Sequence, residues 1–134
     1  MRHRLINLPG HSDPRGLLVF GQEGDQVPFA IKRFFAIYSV AEGAARGGHA
    51  HRQQQQFLVS LAGAATIAID DGMQKVTVRL DRPNLGLLIP AMLWLDLDHF
   101  TPDAVILVLA SGAFSEADYI RDGEEFHRLA RRSK

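Results

Sequence analysis

Cysteine is absent from this chain of 134 residues. That excludes disulfides, thiolate metal centres and cysteine nucleophiles together. An excess of charge of either sign is also missing: 15 Lys and Arg balance 15 Asp and Glu, for a formal net charge of zero. Nucleic acid therefore has no electrostatic footprint to meet and is not expected as a partner. No apolar run reaches the roughly 18 residues of a membrane-spanning helix. No secretory signal opens the chain either, so no membrane is expected and the cytoplasm is the expected compartment. Tryptophan occurs once, and the hydrophobic and charged fractions, 46% and 22%, are those of a folded globular protein rather than a disordered one. The length is that of one domain over residues 1–134, large enough to bury a core without staples.

The dominant period is two. Leu17–Phe20 follows the turn Asp13-Pro14-Arg15-Gly16, and the stretch 30–40 reads as one long strand with Lys32 and Arg33 on opposite faces. Further strands are expected at 56–61, 65–69, 75–80, 85–90, 94–97 and 104–110, with Asp70-Asp71-Gly72 as a hairpin turn. Strands at this spacing make a sandwich or a barrel. Helix is expected only near the end, as a turn at Ser115–Asp118 and a segment at 122–131, before a frayed basic end, Arg131-Arg132-Ser133-Lys134.

The chemistry concentrates in Gly43-Ala44-Ala45-Arg46-Gly47-Gly48-His49-Ala50-His51. In extended chain, residues two apart share a face, so His49 and His51 should project into one cavity. Imidazole titrates near neutral pH and can take and return a proton. The bland alternative is a pair of histidines satisfied by hydrogen bonds at a polar barrel mouth.

This segment resembles the first cupin motif, G-x5-H-x-H-x3,4-E-x6-G, with Gly43, His49, His51, Gln56 and Gly63 at its positions. The second motif, P-x-G-x-x-H, meets Pro90, Met92 and Leu95, so its histidine is missing. Two imidazoles and an amide hold a divalent metal poorly, and no metal or other cofactor is expected.

A wider resemblance follows chain order. Asp13-Pro14-Arg15-Gly16, Val27–Arg33, Arg46–His51, Asp70-Asp71-Gly72, Pro83–Leu87, Trp94, Val108–Ser111 and Glu116–Arg121 together resemble the nucleotide-sugar 3,4-ketoisomerases. That family also occurs as the cupin-like C-terminal domain of WxcM-type proteins. The resemblance implies an all-β fold, an antiparallel jelly-roll barrel with a short C-terminal helical segment, assembled as a homodimer. It implies a TDP-linked 4-keto-6-deoxy sugar, TDP-4-keto-6-deoxyglucose, as substrate, isomerised through an enediol(ate) in deoxysugar and surface-polysaccharide biosynthesis. His51 is then expected to take the C3 proton and His49 to be the second acid/base, with the reverse assignment of the two roles left open. Arg15, Arg33 and Arg46 are candidates for the diphosphate. Arg33, Arg46 and Gln56 are candidate donors to the enediolate, Trp94 a residue to stack on the base or wall the sugar pocket, and Tyr38 a ligand contact.

The chain departs from the family pattern at three places. Phe34-Phe35-Ala36 stands where a tyrosine is common, Gln55 where a glutamate is common, and Leu95-Asp96 where a polar residue and a glutamate follow the tryptophan. Two other readings use the same residues. One is a catalytically silent module that binds a nucleotide sugar, favoured by those departures. The other is a metal-dependent cupin, disfavoured by Gln56 and Leu95.

Overall fold

A computed structural model describes residues 1–132. The chain forms twelve strands: β1 (Arg4–Asn7), β2 (Gly10–Asp13), β3 (Gly16–Val19), β4 (Arg33–Tyr38), β5 (Arg46–His51), β6 (Gln56–Ala62), β7 (Ala65–Asp70), β8 (Lys75–Leu80), β9 (Leu85–Ile89), β10 (Trp94–Asp98), β11 (Val105–Ala110) and β12 (Tyr119–Ile120). A single 3-10 turn (Glu116–Asp118) precedes β12, and one helix, α1 (Gly123–Arg132), follows it. Two five-stranded sheets, ordered β1-β9-β6-β11-β4 and β12-β5-β10-β7-β8, pack face to face, and every pairing between named strands is antiparallel. This is the expected all-β jelly roll.

Alternation explains the core. Ile67, Ile69, Leu95, Leu97, Ile106 and Val108 recur every second residue and fill the space between the sheets. The outer face of the first sheet is not left wet. Phe57, Val59 and Leu88 lie under Val27 and Phe29, so β6 is buried on both faces. The outer face of the second sheet is covered by α1, whose Phe126 and Ala130, four apart, pack on Ala50 and Ile120. Asp122 opens that helix by accepting from the Glu124 N–H at 3.0 Å. Glu124 and Glu125 sit in its first turn and Arg131 and Arg132 in its last, with the sign the helix dipole favours.

Several boundaries differ from the sequence reading. The long strand expected at 30–40 is strand only over Arg33–Tyr38, and Ser39 turns the chain with φ +53°. The histidines lie in a strand of their own, β5, which the sequence reading did not include among the expected strands. Short strands β1, β2 and β12 carry no run long enough to reveal them. Arg131 and Arg132 continue the helix rather than fray. Ser133 and Lys134, the rest of the expected basic end, lie outside the described residues.

Candidate active site

Strand β5 meets β10 through a bulge. Leu95 pairs with His49 and Asp96 with Gly47, leaving Gly48 as the extra residue. Gly47 and Gly48 take φ +90° and +74°, and a Cβ on Gly47 would stand 2.8 Å from the Leu95 carbonyl oxygen. Only glycine passes through that path without strain. Beyond the bulge the strand alternates: Ala50 faces α1, and the two imidazoles turn to the opposite, inner face.

The histidine rings lie 5.2 Å apart, centroid to centroid, and nearly perpendicular. The ring of Tyr119 closes on both, at 4.9 Å from His49 and 4.4 Å from His51. His51 is fixed at both nitrogens. Its Nδ1 is 2.9 Å from Asp118 Oδ2, and the Gln56 amide nitrogen is 3.2 Å from its Nε2. A carboxylate only accepts and an amide NH2 only donates, so this His51 is the neutral tautomer with its proton on Nδ1. Asp118 is held in turn by the backbone N–H of Gln53 at 2.8 Å and of Gln54 at 3.3 Å. His49 is held by ring packing: its Nδ1 is buried with no partner at hydrogen-bonding geometry.

Burial governs the charge state of both rings. It pushes His49 down to about 4, with the neighbouring His51 adding to the effect. His51 is also lowered, first by burial; Asp118 pulls the other way and Arg33 adds to the depression. Both imidazoles are therefore neutral at neutral pH, the form that can accept a proton.

The cavity beside them has a volume of about 920 Å³, within the range that encloses small ligands and cofactors. His49, Gln56, Tyr119 and Arg121 line it together with an apolar floor that includes Phe35 and Leu95. His51 does not line it; it sits in a narrow gap behind, between His49, Gln54 and Gln56. The structure thus orders the histidine pair, with His49 at the wall and His51 behind it.

The other expected site residues divide. Arg46 and Tyr38 line the mouth of the cavity, and Gln56 reaches its interior. Arg33 points inward but is engaged behind the wall. It donates to Gln54 Oε1 at 3.1 Å and stands over the rings of Phe35 and Phe114. Arg15 is remote in this chain: its side chain is exposed on the β2–β3 hairpin and bonds Asp13 at 2.6 Å. Trp94 is on the wrong face for a pocket wall. Alternation along β10 turns Leu95 and Leu97 inward, while Trp94 packs on Phe126 under α1 and donates to Asp96 Oδ2 at 3.2 Å. Of the three departures, Phe35 and Leu95 face the cavity, whereas Gln55 does not line it.

Sequence reasoning assigned no role to Asp118, Tyr119 or Arg121, although all three fall in the Glu116–Arg121 stretch that carried the resemblance. Tyr119 pairs with His51 across β12–β5, and Arg121 stacks on Tyr119 at 4.2 Å while gripping Glu116 at 2.7 and 3.1 Å. Sixty-seven residues separate His51 from Asp118, so no local spacing links them. Among the described residues, no three His, Asp or Glu side chains converge in a way that could hold a metal ion.

Comparison with known proteins agrees with this fold. The chain is 37% identical over 128 residues to the TDP-4-oxo-6-deoxy-alpha-D-glucose-3,4-oxoisomerase of Aneurinibacillus thermoaerophilus, covering 96% of this chain and 92% of that one. A 3,4-ketoisomerase from Helicobacter canadensis superposes with a TM-score of 0.94 at 36% identity over 98% of both chains. QdtA, a sugar 3,4-ketoisomerase from Thermoanaerobacterium thermosaccharolyticum solved with TDP, superposes with a TM-score of 0.95 at 31% identity, over 98% of this chain and 96% of that one. With a family match over residues 1–131 as well, the chain belongs to the FdtA family, the WxcM-like C-terminal family.

Proposed function

We propose that this chain, as a single domain, is a sugar-nucleotide 3,4-ketoisomerase that converts TDP-4-keto-6-deoxyglucose to a TDP-3-keto-6-deoxyhexose. The observation that carries this reading is a pair of neutral imidazoles, His49 lining a roomy cavity and His51 packed behind it. The C3 proton is acidic because C3 adjoins the C4 carbonyl. A neutral imidazole removes it, and the C–H electron pair becomes the C3–C4 double bond of an enediolate. Return of a proton to C4, with loss of the O3 proton and gain of one at O4, leaves the 3-keto sugar. Two protons move and no net proton is consumed.

The cavity position of His49 favours it, rather than His51, as the base that meets C3. His51 is the buried partner, kept in one tautomer by Asp118 in the manner of other histidine–carboxylate pairs. Gln56, Tyr119 and Arg121 are placed to meet the sugar oxygens, where charge develops. Arg46 has no carboxylate partner among the described residues and suits the diphosphate at the mouth. Trp94 is not part of this assignment. The product's ketone would be consumed by an amine-transferring step in making a deoxysugar for a surface polysaccharide.

Two further features belong to this reading. No helix among the described residues is long and apolar enough to cross a membrane, and a nucleotide-sugar substrate fits the cytoplasm. Exposed Leu17 and Leu18 on the β2–β3 hairpin, with Phe34 and Tyr38 on β4, supply the apolar surface a homodimer needs. In a dimer that exchanges this hairpin, Arg15 would reach a partner's cavity instead of its own.

Proton NMR of TDP-4-keto-6-deoxyglucose with the protein in D2O tests the proposal. Loss of the C3 proton signal with new 3-keto resonances is the expected result, and His49→Asn abolishes both. Line broadening of the nucleotide without any exchange would instead indicate the silent binding module, for which the apolar Phe35 and Leu95 are the supporting observation.

A further inference from the structure

Asp118 stands in the wall between two hollows. On its inner side it holds His51 Nδ1, next to the gap shared by His49, His51, Gln54 and Gln56. On its outer side it lines a second hollow of about 500 Å³, formed with Arg52, Gln53, Ser111, Ser115 and Ala117. None of the residues that line the sugar cavity lines this groove. Its rim is open to water, since Arg52, Gln53, Ser115 and Ala117 are all exposed. The Asp118 side chain is 10% exposed, against 5% for His51.

We propose that this groove is a solvent port for His51, through which its Nδ1 proton is replaced by one from bulk water whenever the Asp118 hydrogen bond opens, while a ligand fills the sugar cavity. The exchange is balanced: one proton enters from water as one leaves, and the charge of the pair is unchanged. The geometry gives Asp118 two duties. Toward His51 it is a positioning residue that fixes the tautomer. Toward the groove it is the group that meets solvent. The His51 proton can then exchange without opening the substrate side, where bound nucleotide would seal His49 from water. The inference rests on the isomerase reading only for what occupies the cavity.

The test measures exchange of the His51 Nδ1 proton with water by NMR of nitrogen-labelled protein, with and without saturating TDP. TDP should shift the resonances of His49 and Tyr119 and leave the His51 exchange rate unchanged. Ala117→Trp, which fills the groove mouth from an exposed position, should slow that exchange about tenfold with TDP bound. Ser115→Trp blocks the same mouth from another side and replaces it if Ala117→Trp does not fold. An exchange rate that TDP alone slows about tenfold, or one that neither tryptophan alters, overturns the port. If TDP shifts no cavity resonance, it is the nucleotide-sugar reading that fails, and the tryptophan variants still decide the route.

Discussion

His49 and His51 carry the same side chain, and their surroundings separate them. His49 is lowered to about 4, mainly by burial. Its neutral form persists well below the ordinary histidine range, so kcat/KM should stay on its plateau as pH falls through that range and decline only toward pH 4. Stability follows from the same shifts. Both folded-state values lie below the unfolded ones, so the unfolded chain binds more protons as pH falls, and stability is full above about pH 6.5 and lost on acidification toward the folded values. Urea midpoints across that window would show it. Asp118→Asn removes the carboxylate that holds the His51 proton in place. Turnover should drop by about 10²–10⁴-fold, the scale seen when a histidine loses its orienting carboxylate. Because Asp118 raises His51, its loss should also move any acid limb due to His51 to lower pH. A drop in turnover with an unmoved pH profile would reduce Asp118 to a merely structural bond.

At the scale of elements, one bulge decides what the histidine strand can do. The Gly48 insertion sets which residues of β5 face the interior, and Gly47 lets the chain pass the Leu95 carbonyl. Gly47→Ala must carry a Cβ at φ +90° against a backbone oxygen 2.8 Å away. A loss of about 1–3 kcal/mol is expected, read as a lower urea midpoint, together with reduced turnover because His49 lies two residues further on. Met92 offers a related observation. It occupies the glycine position of the second cupin motif and keeps a glycine-like φ of +64°, so the backbone of that motif persists where its histidine has become Leu95. Helix α1 also acts on the site from behind. Phe126 is fully buried against the strand that carries the histidines, and Glu125 ties the helix to Arg52, next to His51.

Among the large apolar side chains left exposed on the whole molecule, those of the β2–β3 hairpin and of β4 lie on strands with unpaired edges. Leu17 is 76% exposed on the β2–β3 hairpin, and Phe34 is 71% exposed on β4, an edge of its sheet. The hairpin strands pair only with each other. A bare edge strand and a projecting apolar hairpin are costly in a free monomer. Light scattering should therefore give twice the chain mass of 14.8 kDa, and Leu17→Asp combined with Phe34→Asp should shift the protein to monomer. A wild-type mass equal to one chain would remove the dimer from the proposal and leave Arg15 without a site to serve.

Much of this protein was legible in the sequence by itself. Strict alternation in segments such as Ala65–Asp70 and Lys75–Leu80 determines strands with one buried face, because the side-chain period of a strand is two. The spacing of His49 and His51 determines that they share a face. The motif positions and the ordered stretches determine the family. Tertiary structure decided the rest, for reasons no local pattern carries. Alternation in β10 separates Trp94 from Leu95 without saying which is inside; packing of α1 over Trp94 settles it. The carboxylate of His51 arrives from the far end of the chain, through a pairing of β5 with a two-residue strand. Which histidine meets the cavity depends on depth in the barrel, a property of the closed sheet pair and not of either residue.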